Sequence, residues 1–169
     1  MQIMENYLSS NRQHQIAHNL AVVEAHFHSE AADEIEKALE LYTDDILWES
    51  PARKLVLRGK AETADNYRRM FSSFKVEEFR CLDRFATENR VVDDSVATLV
   101  LVGDGVENAP VAVGSRVEIR LLHIFEMREG KISRELVFEN WKVLEEPIVT
   151  LKFEVGQRIS QQFPLVTVR

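Results

Sequence analysis

Between Arg116 and Arg128 charged and apolar residues alternate, and one titratable ring, His123, falls in the apolar row. At strand periodicity Val117, Ile119, Leu121, Phe125 and Met127 share its face, whereas Arg116, Glu118, Arg120, Glu126 and Arg128 point away. An imidazole in such company is either a core residue bonded to a buried partner or the wall of a pocket, where it can exchange a proton near neutral pH. His26 poses the same choice on a helix. At about 100° per residue it lies beside the apolar face carrying Val22 and Val23, while His14 and His18 lie opposite. Two histidines turned into one cavity would be placed for ligand contact or proton transfer. His14 and His18 are spaced i, i+4 and could share a metal, but no third ligand stands at a recognisable spacing, so no metal site is expected.

Other chemistries lack their residues. No Ser-His-Asp order, nucleophile elbow, phosphate loop or dinucleotide fingerprint is present, so covalent catalysis, nucleotide binding and a cofactor are not expected. A formal charge of −7 with scattered Lys and Arg argues against a nucleic-acid partner. The single cysteine, Cys81, cannot form an intramolecular disulfide, and no basic segment followed by an apolar run opens the sequence. A soluble cytoplasmic protein without membrane association is expected.

The elements that must hold these side chains follow from periodicity. Ile16, Leu20, Val23 and Phe27 predict a helix from Asn6 to His28. Ile35, Ala38, Leu39 and Tyr42 predict a second, which Asp33 and Glu36 could open as a capping box and Asp44-Asp45 would end. A short strand, Ile46 to Glu49, is stopped by Pro51, and Gly59 opens a third helix striped with Ala61, Ala64, Tyr67, Phe71 and Phe74. Four strand-like segments follow, about Val76 to Ala86, Val91 to Val102, Ser115 to Arg128 and Ile132 to Lys142, parted by turn residues at Glu88-Asn89, Gly103-Asp104-Gly105 and Glu129-Gly130. The layout is α+β: one domain over 1–146 and a tail over 147–169 that packs on the domain or on a dimer partner.

The run Ala38-Leu-Glu-Leu-Tyr-Thr-Asp-Asp-Ile-Leu-Trp-Glu-Ser-Pro51, with Leu57-Arg-Gly-Lys60, Tyr67-Arg-Arg-Met-Phe71 and His123-Ile-Phe-Glu-Met-Arg-Glu-Gly-Lys-Ile132, resembles the nuclear transport factor 2-like superfamily, particularly its polyketide-cyclase-like bacterial branch. The resemblance implies a cone: a curved antiparallel sheet wrapped by three amino-terminal helices, with a pocket inside and frequent dimerisation through the sheet. It leaves function open, because the fold hosts isomerases, cyclases, hydratases, epoxide hydrolases and binding modules. The general-base aspartate of the steroid isomerases falls on Ser50, which carries no charge at neutral pH, so that proton shuttle is missing. The tyrosine and protonated acid of their oxyanion hole fall on His26 and His123. An acidic residue near the end of the last strand in cyclase-like members falls near Glu139, which alternates with Val137 and Trp141 and is either an acid or base or a cross-strand surface partner.

If Ser50 faces the pocket, as the resemblance implies, Glu49 faces solvent or pairs with an arginine such as Arg53 or Arg58; the opposite parity would put Glu49 in the cavity. Among the aromatic residues, Trp48, Tyr67, Phe125 and Trp141 are candidates to line the cavity beside Ser50, although most of the aromatic set is packing. His26, His123 and Glu139 are the catalytic candidates, and a small apolar ligand is the expected partner. Three readings remain: an enzyme that isomerises, cyclises or hydrates an apolar carbonyl compound without a cofactor, a non-catalytic ligand binder, and a dimeric interaction module. The dimer face would be the outward row of the His123 strand, where Leu122 and Ile124 interrupt the charges.

Overall fold

The computed structural model describes residues 2–29 and 34–147, with side chains from residue 10 onward. The predicted Asp33 capping box and the tail beyond Pro147 lie outside the described residues; Glu34 stands at the N-cap of the second helix and makes no side-chain cap bond. The apolar repeat of the first segment forms one long helix, α1 (Gln2–His28), whose inward side buries Asn19, Val22, Val23 and His26. Asn19 Nδ2 donates to the carbonyls of Thr87 and Glu88, 3.0 Å each, which pins α1 across a sheet turn. α2 (Ile35–Glu40) is short and buries Ile35, Ala38 and Leu39.

Tyr42 is not the last position of that helix. It opens the first strand, β1 (Tyr42–Ser50), because Leu41 caps α2 and Asp44-Asp45 sit in the exposed half of the strand instead of ending a helix. A strand without a counterpart in the sequence reading, β2 (Leu55–Arg58), pairs antiparallel with β1 across a tight turn containing Arg53. Its four residues are too short for alternation to announce itself. α3 (Gly59–Ser72) starts where Gly59 adopts φ +77°, and the Glu62 carboxylate accepts the Arg58 N–H at 2.7 Å. Then come β3 (Phe74–Ala86), β4 (Arg90–Leu101), β5 (Arg116–Arg128) and β6 (Lys131–Glu145), close to the predicted segments. Glu129 and Gly130 both take positive φ in the β5–β6 turn, the backbone a two-residue hairpin demands.

The sheet order is β2-β1-β6-β5-β4-β3. This curved, open six-stranded sheet with three helices is the α+β architecture expected, with two corrections. The sheet is not wholly antiparallel: β6 returns from the β3–β6 meander running in the direction of β1, and that interior pair is parallel. Nor do all helices precede the strands, since α3 is inserted between β2 and β3 and carries the chain to the far sheet edge. The parallel register sets Trp48 beside Glu135. Ile46, Trp48, Tyr67, Phe125, Ile132 and Val137 then join Val23 and Leu39 in the main core, between the sheet's concave face and the helices.

Candidate functional site

Three adjacent strands bring an acid, a base and an acid into one row on the concave face. Asp93 of β4 pairs with His123 of β5, His123 pairs with Val137 of β6, and Glu135 lies two residues before Val137 on the same face. His123 Nε2 is 3.8 Å from Glu135 Oε1, and Nδ1 is 4.0 Å from Asp93 Oδ1. Neither distance is a formed hydrogen bond. Nδ1 is buried without a partner, which leaves Nε2 as the nitrogen free to meet a ligand. Phe125 stacks on the ring at 5.6 Å and Phe27 packs edge-on at 5.1 Å, so the imidazole is held in one plane.

Glu135 is the centre of the cluster and is 1% exposed. Its Oε2 accepts hydrogen bonds from the Tyr42 hydroxyl and, at 3.0 Å, from that of Tyr67, and it lies 3.6 Å from His26 Nε2. The two tyrosine oxygens are 2.6 Å apart. Burial alone would raise the carboxyl pKa; the positive charge available on His26, a bond from that ring, the charge available on His123 and the Tyr42 bond outweigh it and hold the group down at about 2. Burial first, then the Glu135 charge and Tyr67, push Tyr42 well above its ordinary value, so it remains a hydroxyl donor. Asp93, also buried, is tied by Ser95, by Cys81 at 3.3 Å and by Arg84 at 2.7 Å, and its charge is balanced on the side away from His123.

A second polar group closes the other end of the same face. Glu139 Oε1 accepts the Ser50 hydroxyl at 2.9 Å and Arg53 Nε at 3.0 Å; Oε2 accepts Trp141 Nε1 at 2.9 Å. Arg53 and Glu139 are 2% and 5% exposed, and the guanidinium lies 5.2 Å over the Trp48 ring. Three donors engage Glu139, a poor arrangement for a carboxylate that must take up a proton.

Between these ends lies a cavity of about 330 Å³. His123, Glu135, Tyr67, Trp48, Glu139 and Trp141 reach its wall, and most of the remainder is apolar side chain. Three candidates do not: Ser50; His26, fully buried beside Glu135 and Tyr42; and Phe125, which stacks on His123. The expectation that both histidines face the cavity is therefore corrected, because a carboxylate stands between them. Ser50 is buried and turned toward Glu139, also off the wall, while Glu49 pairs with Arg134 at 2.5 Å and not with Arg53 or Arg58. His18, one of the i, i+4 pair on α1, binds the Gly130 carbonyl oxygen at 3.1 Å.

Sequence reasoning missed Glu135, Tyr42, Arg53 and Asp93. The parity that puts Val137, Glu139 and Trp141 on one face, carried back one step, reaches Glu135, and the pairing of β4 with β5 would have delivered Asp93 opposite His123. Arg53 stands in a turn, where no periodicity points.

A family model for the SnoaL-like domain matches residues 23–135. The chain belongs to the SnoaL-like domain family. Comparison with curated proteins finds no match. Among solved structures, this SnoaL-like chain is similar to a candidate polyketide cyclase from Xanthomonas campestris at 19% identity, covering 75% of this chain and 93% of that one with a TM-score of 0.60. An M. tuberculosis LEH-like epoxide hydrolase aligns at 18% identity over 74% and 84% of the two chains, TM-score 0.59. A Catenulispora acidiphila protein with a ketosteroid isomerase-like fold, in complex with trimethylamine, aligns at 13% over 69% and 82%, TM-score 0.56. At these identities the likeness carries the fold, and the resemblance to the nuclear transport factor 2-like, polyketide-cyclase-like proteins is met. No helix among the described residues is long and apolar enough to cross a membrane.

Proposed function

We propose that this SnoaL-like domain binds an apolar carbonyl compound in the cone and acts on it as a cofactor-free acid–base enzyme of the isomerase, cyclase or hydratase type. The carrying observation is His123 on the cavity wall with Nε2 facing a buried, ionised Glu135. A neutral His123 takes the proton α to the carbonyl as the C–H bond breaks. Glu135 stabilises the resulting imidazolium across 3.8 Å in a water-poor site. Tyr67, which lines the cavity, gives its one hydroxyl proton to Glu135 when no ligand is bound; turned to the carbonyl oxygen where negative charge develops, that proton leaves Tyr42 to hold the carboxylate. His26 and Tyr42 act through Glu135 and position it. Glu139 is left to a structural and recognition role.

The test is α-hydrogen exchange. The acetyl methyl group of 2-acetonaphthone, dissolved in D2O with the protein, should exchange deuterium faster than in buffer, read by proton NMR. His123→Phe keeps the ring volume and should lower the enzymatic rate about 10²–10⁴-fold. No exchange above buffer, or an unchanged rate in His123→Phe, would overturn the assignment.

We also propose that the chain forms a homodimer through the outer sheet face. Leu122 of β5 stands directly opposite Phe138 of β6, and they are 37% and 44% exposed. The flanking charges are satisfied within the chain, Arg120 by Asp94 and Glu118 by Lys142, which leaves an apolar patch as the available contact.

A further inference from the structure

Glu135 and Glu139 are four residues apart on the same face of β6, so the two polar ends of the cavity are about 13 Å apart along the strand, at roughly 3.3 Å per residue. Val137 lies midway, and Leu121, Phe71 and Met70 add apolar wall. The far end is unlike the His123 end. Arg53 spends its Nε–H on Glu139, one terminal nitrogen reaches the Glu107 carbonyl at 3.3 Å, and the other, among the described residues, has only the Met70 sulfur at 3.9 Å. A thioether is a weak acceptor, so that nitrogen keeps most of its donor capacity, and because Arg53 and Met70 both line the cavity a ligand oxygen there would serve it better.

The charge at this end is already balanced. Glu139 neutralises Arg53 in a buried setting, and a ligand carboxylate would place a second anion beside Glu139 with one guanidinium between them. A neutral oxygen, by contrast, takes the spare N–H bonds without adding charge.

We propose that Arg53 is a specificity residue that recognises a second, uncharged oxygen on the ligand. The ligand is then an elongated apolar molecule with a neutral oxygen at each end, and a carboxylate at the Arg53 end gains nothing. This rests on the reading of the cavity as a carbonyl site, with the first oxygen at Tyr67 and His123.

Titration calorimetry at pH 7 with three probes of one shape tests it: 2-acetonaphthone, 2,6-diacetylnaphthalene and 6-acetyl-2-naphthoate. The diketone should bind the unmodified protein about tenfold or more tighter than the monoketone, the step expected of a hydrogen bond from a charged donor, and the carboxylate should bind no tighter than the monoketone. Glu139→Gln leaves the guanidinium uncompensated and should raise carboxylate affinity about tenfold or more, making it the preferred probe. Arg53→Met combined with Glu139→Gln removes both charges together, which avoids stranding either one; it should abolish the advantage of the diketone over the monoketone, and a retained advantage overturns the Arg53 assignment. Equal affinity of the unmodified protein for both ketones, or an unchanged ranking in Glu139→Gln, overturns the Arg53 assignment alone. Failure of all three probes to bind overturns the carbonyl reading and this inference with it.

Discussion

At the scale of single residues, the cluster depends on an ionised carboxylate kept in an almost waterless position. Glu135 takes both tyrosine hydroxyls on Oε2 and lies between His26 and His123, and the pull of His26 first, then of His123 and the Tyr42 bond, exceeds the cost of burial. A carboxyl group whose folded pKa lies below its unfolded value adds stability that is complete above the unfolded value and disappears as pH falls toward the folded one. The contribution of Glu135 should accordingly be lost between about pH 4.5 and about 2. Glu135→Gln keeps the shape and the bonds from both tyrosines but removes the charge, so its melting temperature should respond less to pH across that window. Thermal melts of the two proteins from pH 7 to 2 decide this, and parallel curves would show that the charge contributes nothing to folding.

At the scale of elements, the cavity depends on how the end of α3 is joined to the β4–β5 loop. The Gly105 N–H donates to Ser73 Oγ at 2.9 Å, and Val106, next along the loop, is buried and lines the cavity. A Cβ built on Gly105 would stand 2.3 Å from the Arg69 carbonyl oxygen, a clash with backbone that no side-chain rotation relieves. Gly105→Ala should therefore destabilise the protein by about 1–3 kcal/mol, the usual cost of forcing atoms into a packed site. Chemical denaturation measures it directly, and a variant as stable as the parent would show that loop and helix are loosely joined.

At the scale of the whole molecule, the helices cover the concave face of the sheet and, among the described residues, leave the Leu122 and Phe138 patch of the outer face exposed. An apolar pair ringed by internally satisfied ion pairs suits a two-fold contact in which the same patch meets itself. Light scattering at micromolar concentration should return twice the 19.5 kDa chain mass, and Leu122→Glu should return the single mass by placing two like charges across the axis. A monomeric parent protein would sink the dimer.

Much of this was legible in the chain alone. Period-two alternation is a local property, so the faces of β5 and the inward turn of His123 could be read from neighbours in sequence, as could the Glu129-Gly130 hairpin and the burial of His26 on α1. What lies across from a residue is not local. The β4–β5–β6 register put Asp93 and Glu135 on either side of His123, and the parallel β1–β6 pair put Trp48 against Glu135. The packing of α1 and α3 over that strand then set His26 behind the carboxylate and Tyr67 beside it. Alternation tells which way a side chain points; only the closing of strands far apart in sequence decides what it meets, because each pairing is chosen by the burial of the whole face at once.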